Sequence, residues 1–171
     1  ATLYESVVRT GEMAQRTPAG PTYLSIPIET MLQEWARPDK LRKAPSPKPG
    51  VPSQSDVERV AKLLVGAEHP VIVTENIGRD TDGFDALVSL AELLSIPVVE
   101  GGVSDFSNMP KNHPLHQGFD MNPHFEVADL VLMVRCRVPW YPPSKRPTNA
   151  TIVAIDEAPY KGHMVYQNLH A

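Results

Sequence analysis

A single cysteine, Cys136, is all the thiol available in 171 residues. No internal disulfide framework can form, and such a composition suits a reducing compartment. Basic charge is also scarce. Sixteen Lys and Arg against 20 Asp and Glu leave a net charge of -4. A basic face is therefore missing, and nucleic acid is not an expected partner. Long apolar runs are missing too. None reaches the roughly 18 residues that a membrane span requires, and no stretch has the pattern of a secretory signal. A cytoplasmic location with no membrane partner is expected. What the chain does have is proline, 18 residues, and 42% hydrophobic residues, enough for a core. Length suggests one domain of ordinary size with an appendage.

Residues 2 to 16 place Leu3, Val7 and Ala14 on one side among Glu5, Arg9, Glu12 and Arg16, a helical spacing. Thr17-Pro18-Ala19-Gly20-Pro21 stops that helix, since proline cannot continue it and restrains the residue before it. Thr22 to Ile26 then reads as a short apolar strand. From Arg37 to Ser53 come Pro38, Pro45, Pro47, Pro49 and Pro52 with basic residues between them. Such a segment buries little and is expected to run extended as a linker.

A second unit begins at Ser55-Asp56-Val57-Glu58, a capping-box pattern. Val57, Val60, Ala61 and Leu64 continue at helical spacing. Pro70 to Thr74 is a short β-branched strand, and Phe84, Leu87, Val88, Ala91 and Leu94 form another helical stripe. Ile96 to Val99 is a further strand. A loop of about two dozen residues rich in Asn, His, Pro and Gly follows. Ala128 to Val134 and Ala150 to Asp156 complete at least four continuous apolar strands. Strands of that type alternating with helices indicate an α/β, doubly wound parallel sheet covered on both faces. Ligands in such sheets bind beyond the carboxyl ends of the strands. Those ends are Glu75-Asn76-Ile77-Gly78, Gly101-Gly102, Arg135-Cys136-Arg137 and Asp156-Glu157.

Other residues have a chemical and a packing reading. His113 and His116 could share a metal, but a third ligand is not evident. Cys136 could be a nucleophile, yet the end of a buried strand favours packing. Trp140-Tyr141 with Pro139, Pro142 and Pro143 could recognise a peptide, although a rigid buried packing segment is the simpler reading. No catalytic or metal residue is assigned.

Taken in order, "GPTYLSIP", "HPVIVTENIGRD", "LAELLSIPVVEGG", "HPLHQGFD", "ADLVLMVRCRVPWYPP" and "IVAIDEAPYKG" resemble the thiamine-diphosphate-dependent enzymes. The resemblance is to acetolactate-synthase-like large subunits, including the branch with a "VPW-x-P" motif. It covers nearly the whole chain, and the order and spacing of the motifs carry it more than any single one.

The resemblance implies that residues 1–36 are the tail of a pyrimidine-binding domain, 37–54 a linker, and 55–171 a Rossmann-like middle domain without its last strand and helix. It implies that the strand at Thr22 finds its sheet upstream. It implies a parent subunit that decarboxylates a 2-oxo acid and transfers the carbanion, in a homodimer or tetramer, with thiamine diphosphate and magnesium. The partners of this segment would be the remaining domains of its subunit. The family's Gly-Asp-Gly motif and following Asn have only a near-match here, Asp82-Gly83 with Asn108. Thr81 stands where the first glycine belongs, and Thr81 and Asp82 are more simply helix caps. The segment alone is thus expected to be inactive and to bind no thiamine diphosphate. Middle domains of the family variously hold FAD, ADP or nothing. Asn76, Gly78, Gly101, Arg137 and Asp156 are the candidate positions of such a nucleotide site, in vestigial form. Glu75 would repel phosphate and Arg135 adds bulk, so FAD is not expected. The alternative is an independent α/β module that binds FAD or ADP.

Overall fold

The computed structural model describes residues 3–16, 18–34, 36, 39–40, 50–102, 104–137, 140 and 142–159. The chain divides into two compact units, 1–51 and 52–171. Most of the proline-rich segment, including Pro38, Pro45, Pro47 and Pro49, lies outside the described residues, as do Pro139, Tyr141 and everything beyond Pro159.

The first unit contains α1 (Leu3–Gln15) and α2 (Ile28–Met31), neither with a buried residue. The Thr10 hydroxyl donates to the Ser6 carbonyl within α1. Gly20 N–H donates to the Ala14 carbonyl just past the end of the helix, at 3.1 Å. The expected strand at Thr22–Ile26 is absent, which corrects the sequence reading: these residues are in no strand. Strand structure requires a paired neighbour, and the described residues of this unit supply none.

In the second unit α3 (Gln54–Gly66) is capped by Ser53, whose hydroxyl accepts from Asp56 N–H at 3.2 Å. The cap thus lies two residues before Ser55, and Glu58 is engaged by the Gln54 side-chain amide instead of reaching back. The chain continues through β1 (Pro70–Thr74), a 3-10 turn (Ile77–Arg79) and α4 (Thr81–Leu94). Then come β2 (Val98–Glu100), α5 (Asn122–Phe125), β3 (Leu130–Val134) and β4 (Thr151–Ile155). Asp80, not Thr81 or Asp82, caps α4 by accepting from Gly83 N–H. Ser95 ends it in the left-handed region at φ 56°.

The four strands form one parallel sheet in the order β2-β1-β3-β4. Alternate residues point to opposite faces, so the sheet has two apolar layers. Ile72, Val98, Leu132 and Val153 meet Leu64 of α3 and Leu87 and Ala91 of α4. Val71, Val73, Val99, Val131, Met133 and Ile152 meet Met121, Phe125 and Trp140 on the other face. Among the described residues that face carries the helical turn α5, with Phe125 edge-on to Trp140 at 6.2 Å. The free side of β2 is not bare. Residues 115–118 run beside it, with Val98 N–H donating to Leu115 O, Gln117 N–H to Val98 O, and Glu100 N–H to Gly118 O. The long loop thereby covers an edge that would otherwise present unpaired groups. Among the described residues no helix is long and apolar enough to cross a membrane.

Asp129 fixes the relative height of β1 and β3. Its carboxylate accepts from Glu68 N–H at 2.7 Å and His69 N–H at 3.0 Å. Burial pushes the Asp129 pKa up, but the two backbone donors outweigh it and hold the carboxyl below its ordinary 3.8. A depressed folded-state value stabilises above the unfolded value and the benefit is lost as pH falls through the folded one. Asp129→Asn is therefore expected to destabilise at neutral pH and to be indistinguishable from the parent in strong acid, as read by urea melts at both. Leu132→Ala, in the centre of the sheet, is expected to lower unfolding free energy by about 2–5 kcal/mol in the same assay.

Candidate functional site

Because β1 has β2 on one side and β3 on the other, the chain reverses direction across the sheet there. A crevice at the carboxyl ends of β1 and β3 is the place where a doubly wound sheet accepts a ligand. Glu75 follows β1 directly and is 2% exposed in that crevice. Its Oε2 accepts from Arg137 N–H at 2.9 Å and from Arg137 Nε at 3.1 Å. Cys136, buried beside Arg137 in the chain, feels the charge of the same carboxylate. Two donors just past the end of β3 thus converge on one carboxylate from the end of β1. Taking a carboxylate out of water is costly, and charge-assisted hydrogen bonds of this kind offset the cost.

The glycines explain how the carboxylate fits. A Cβ on Gly101 would overlap Cγ and Oε1 of Glu75, and a Cβ on Gly78 would overlap the Ser107 carbonyl oxygen. The space that a bare backbone leaves at Gly101 is therefore filled from within the chain. Arg135 has φ 44°, a left-handed conformation that costs a non-glycine residue energy. Its N–H donates to Ile155 O at 2.9 Å, and its guanidinium lies 3.3 Å from Glu157 and 3.5 Å from Asp80. These contacts tie the ends of β3 and β4 to the start of α4.

Of the five candidate nucleotide positions, Gly101 and Arg137 meet at Glu75. Gly78 packs instead on the loop, where its N–H donates to Asn108 Oδ1 at 3.0 Å. Asn76 opens the 3-10 turn without a side-chain capping bond. Asp156 accepts from Ala158 N–H at 2.8 Å within its own turn. Cys136 is buried, and its pKa is raised well above the ordinary 9.0 by desolvation first and by the Glu75 charge second. A thiol held protonated in this way is a poor nucleophile.

A second buried acid went unread in the sequence. Glu100, at the end of β2, is fully buried. It receives Lys111 Nζ, His116 Nε2 at 3.0 Å and Asn108 Nδ2 at 3.2 Å. Asn108 also donates to Ser104 Oγ at 2.5 Å and Phe106 O at 2.8 Å, and Ser104 donates to the Glu75 carbonyl. Lys111 lies over the Phe119 ring at 5.2 Å. The readable signal was an acid closing each of two apolar strands, "VIVTE" and "PVVE". His113 and His116 do not converge: His113 meets Glu92 at 3.2 Å while His116 meets Glu100. Among the described residues no group of three His, Cys, Asp or Glu could hold a metal ion. Asn108 has its amide fully engaged and Asp82 lies in the first turn of α4, so this pair does not fit magnesium and a diphosphate. Between Gly101 and Arg137, the two candidate nucleotide positions that come together, stands the Glu75 side chain.

Gly101→Ala is expected to destabilise by about 1–3 kcal/mol through overpacking. Glu75→Ala should remove most of that penalty, so a double-mutant cycle on the two positions should show strong coupling. Additive effects would place the Gly101 constraint elsewhere.

Residues 57–169 match the family described as "Thiamine pyrophosphate enzyme, central domain". Over 100 residues the chain is 30% identical to the glyoxylate carboligase of Escherichia coli O157:H7, covering 58% of this chain and 16% of that protein. Two solved structures share the fold. One is a protein of Mycobacterium smegmatis assigned to the thiamin diphosphate-dependent enzymes, with a TM-score of 0.70 and 24% identity over 88% of this chain. The other is benzoylformate decarboxylase from Polynucleobacter necessarius, with a TM-score of 0.66 and 22% identity over 88% of this chain. The chain spans 30% of each of those two.

Proposed function

We propose that this chain, which belongs to the thiamine pyrophosphate enzymes and supplies their central domain, is a structural segment of a larger enzyme. That enzyme decarboxylates a 2-oxo acid and transfers the resulting carbanion, in the manner of the acetolactate-synthase-like subunits. The carboligase relative supports carbon–carbon bond formation as the chemistry of the whole. Thiamine diphosphate with magnesium would supply the carbanion chemistry in other domains of that subunit. No residue described in this chain takes a catalytic step.

Within this reading, residues 1–36 serve as the tail of the pyrimidine domain, 37–54 as a linker, and 55–171 as the middle domain. The partners are the other domains of the same subunit and a second or further copy of it, in the cytoplasm. The observation that carries the structural role is Glu75, which occupies the switch-point crevice and is bonded there by Arg137. An independent FAD or ADP module would need that space for phosphate, and the buried carboxylate opposes one.

Titration calorimetry of the chain with thiamine diphosphate and magnesium is expected to show no binding, and the purified chain no flavin absorbance. Micromolar cofactor binding, or flavin near one per chain, would defeat the structural reading.

A further inference from the structure

We infer that the end of β3 is an oxyanion nest whose resident ligand is the chain's own Glu75. The inference rests on the nucleotide-free reading above and adds what the crevice is built to hold. Arg137 N–H and Arg137 Nε both direct hydrogen toward one carboxylate. A backbone donor next to a guanidinium is the usual equipment for a free carboxylate or phosphate. Arg135 takes a strained φ of 44° at the entry to this Cys136-Arg137 corner, and a Cβ at Gly101 opposite would overlap the Glu75 side chain. Glu75 is 3% exposed at its side chain, so the ligand is held out of water as a bound anion would be.

The nest differs from a simple salt bridge in a testable way. A salt bridge lost on truncation leaves Arg137 to turn into solvent. A nest keeps its donors in place and accepts a substitute. Glu75→Ala removes the carboxylate and leaves its volume next to Gly101. The truncated chain should then bind a small oxyanion, for which formate and inorganic phosphate are the probes and chloride at equal ionic strength is the control. At ten times the apparent Kd, a ligand specific to the folded state shifts the folding equilibrium by about elevenfold. The midpoint of a urea melt of Glu75→Ala should therefore rise in formate or phosphate but not in chloride. Formate alone acting would mark a planar carboxylate site, and phosphate acting as well a general oxyanion site. Both results support the nest.

Glu75→Ala/Arg137→Ala should lose the response, while Glu75→Ala/Lys145→Ala, which removes an exposed cation of the 3-10 turn Pro143–Lys145, keeps it. If Glu75→Ala does not fold in chloride, recovery of the cooperative melt in formate supports the nest, and failure to recover in both oxyanions overturns it. A folded Glu75→Ala with equal melts in all three salts also overturns it. Titration of the unaltered chain with ADP separates the two claims. Binding there would refute the nucleotide-free reading, whatever the variants do.

Discussion

The contact between the Glu75 carboxylate and the Arg137 backbone and side chain governs the carboxyl edge of this sheet. It joins residues 62 positions apart, one from the end of β1 and one from just beyond β3. Glu75 is buried while the Arg137 side chain is 43% exposed, so it is loss of Arg137 that would leave a desolvated charge without its partner. Gly101 must remain bare and Arg135 must hold a left-handed backbone for the pair to form. Burial first and the Glu75 charge second keep the Cys136 thiol protonated. One carboxylate thus sets the local requirements at three strand ends.

Glu100 repeats the arrangement at the end of β2, with another outcome. Its partners, Lys111, His116 and Asn108, all lie in the loop that leaves β2. The carboxylate draws that loop back so that residues 115–118 run along the open side of the strand. Ser104 and Asn108 link the two acids through the Glu75 carbonyl and the Gly78 N–H. The edge of the sheet that would carry a ligand in an open crevice is therefore cross-braced by its own side chains. Arg137, Lys111, His116 and Asn108 at that edge are thereby engaged by the two acids.

The strands were legible because their apolar runs are continuous. β1 occupies Pro70–Thr74 as read from the residues. β3 begins two residues later than its apolar run because Asp129 turns to accept from Glu68 and His69. β2 begins late because Ile96 N–H still closes the end of α4 on Ala91 O. The helix caps misled by one or two residues, since Ser53 and Ser55, or Asp80, Thr81 and Asp82, are equally able to cap and only backbone geometry selects one. The strand expected at Thr22 failed for a different reason, as β-propensity without a neighbour makes no ladder. Gly101 and Arg137 could be picked out from strand ends, but not their meeting at Glu75. That depends on the order β2-β1-β3, which brings the end of β3 beside β1. Glu100 was missed because the strand was ended at Val99 and the acid after it was given no role.

The account stands on Glu75 occupying the place of a phosphate. A crystal structure of the chain grown with excess ADP tests that most directly. The expected result is a Glu75 carboxylate within hydrogen-bond distance of the Arg137 N–H, with no diphosphate in the crevice. A diphosphate lying on Arg137, with Glu75 turned out into solvent, would contradict it.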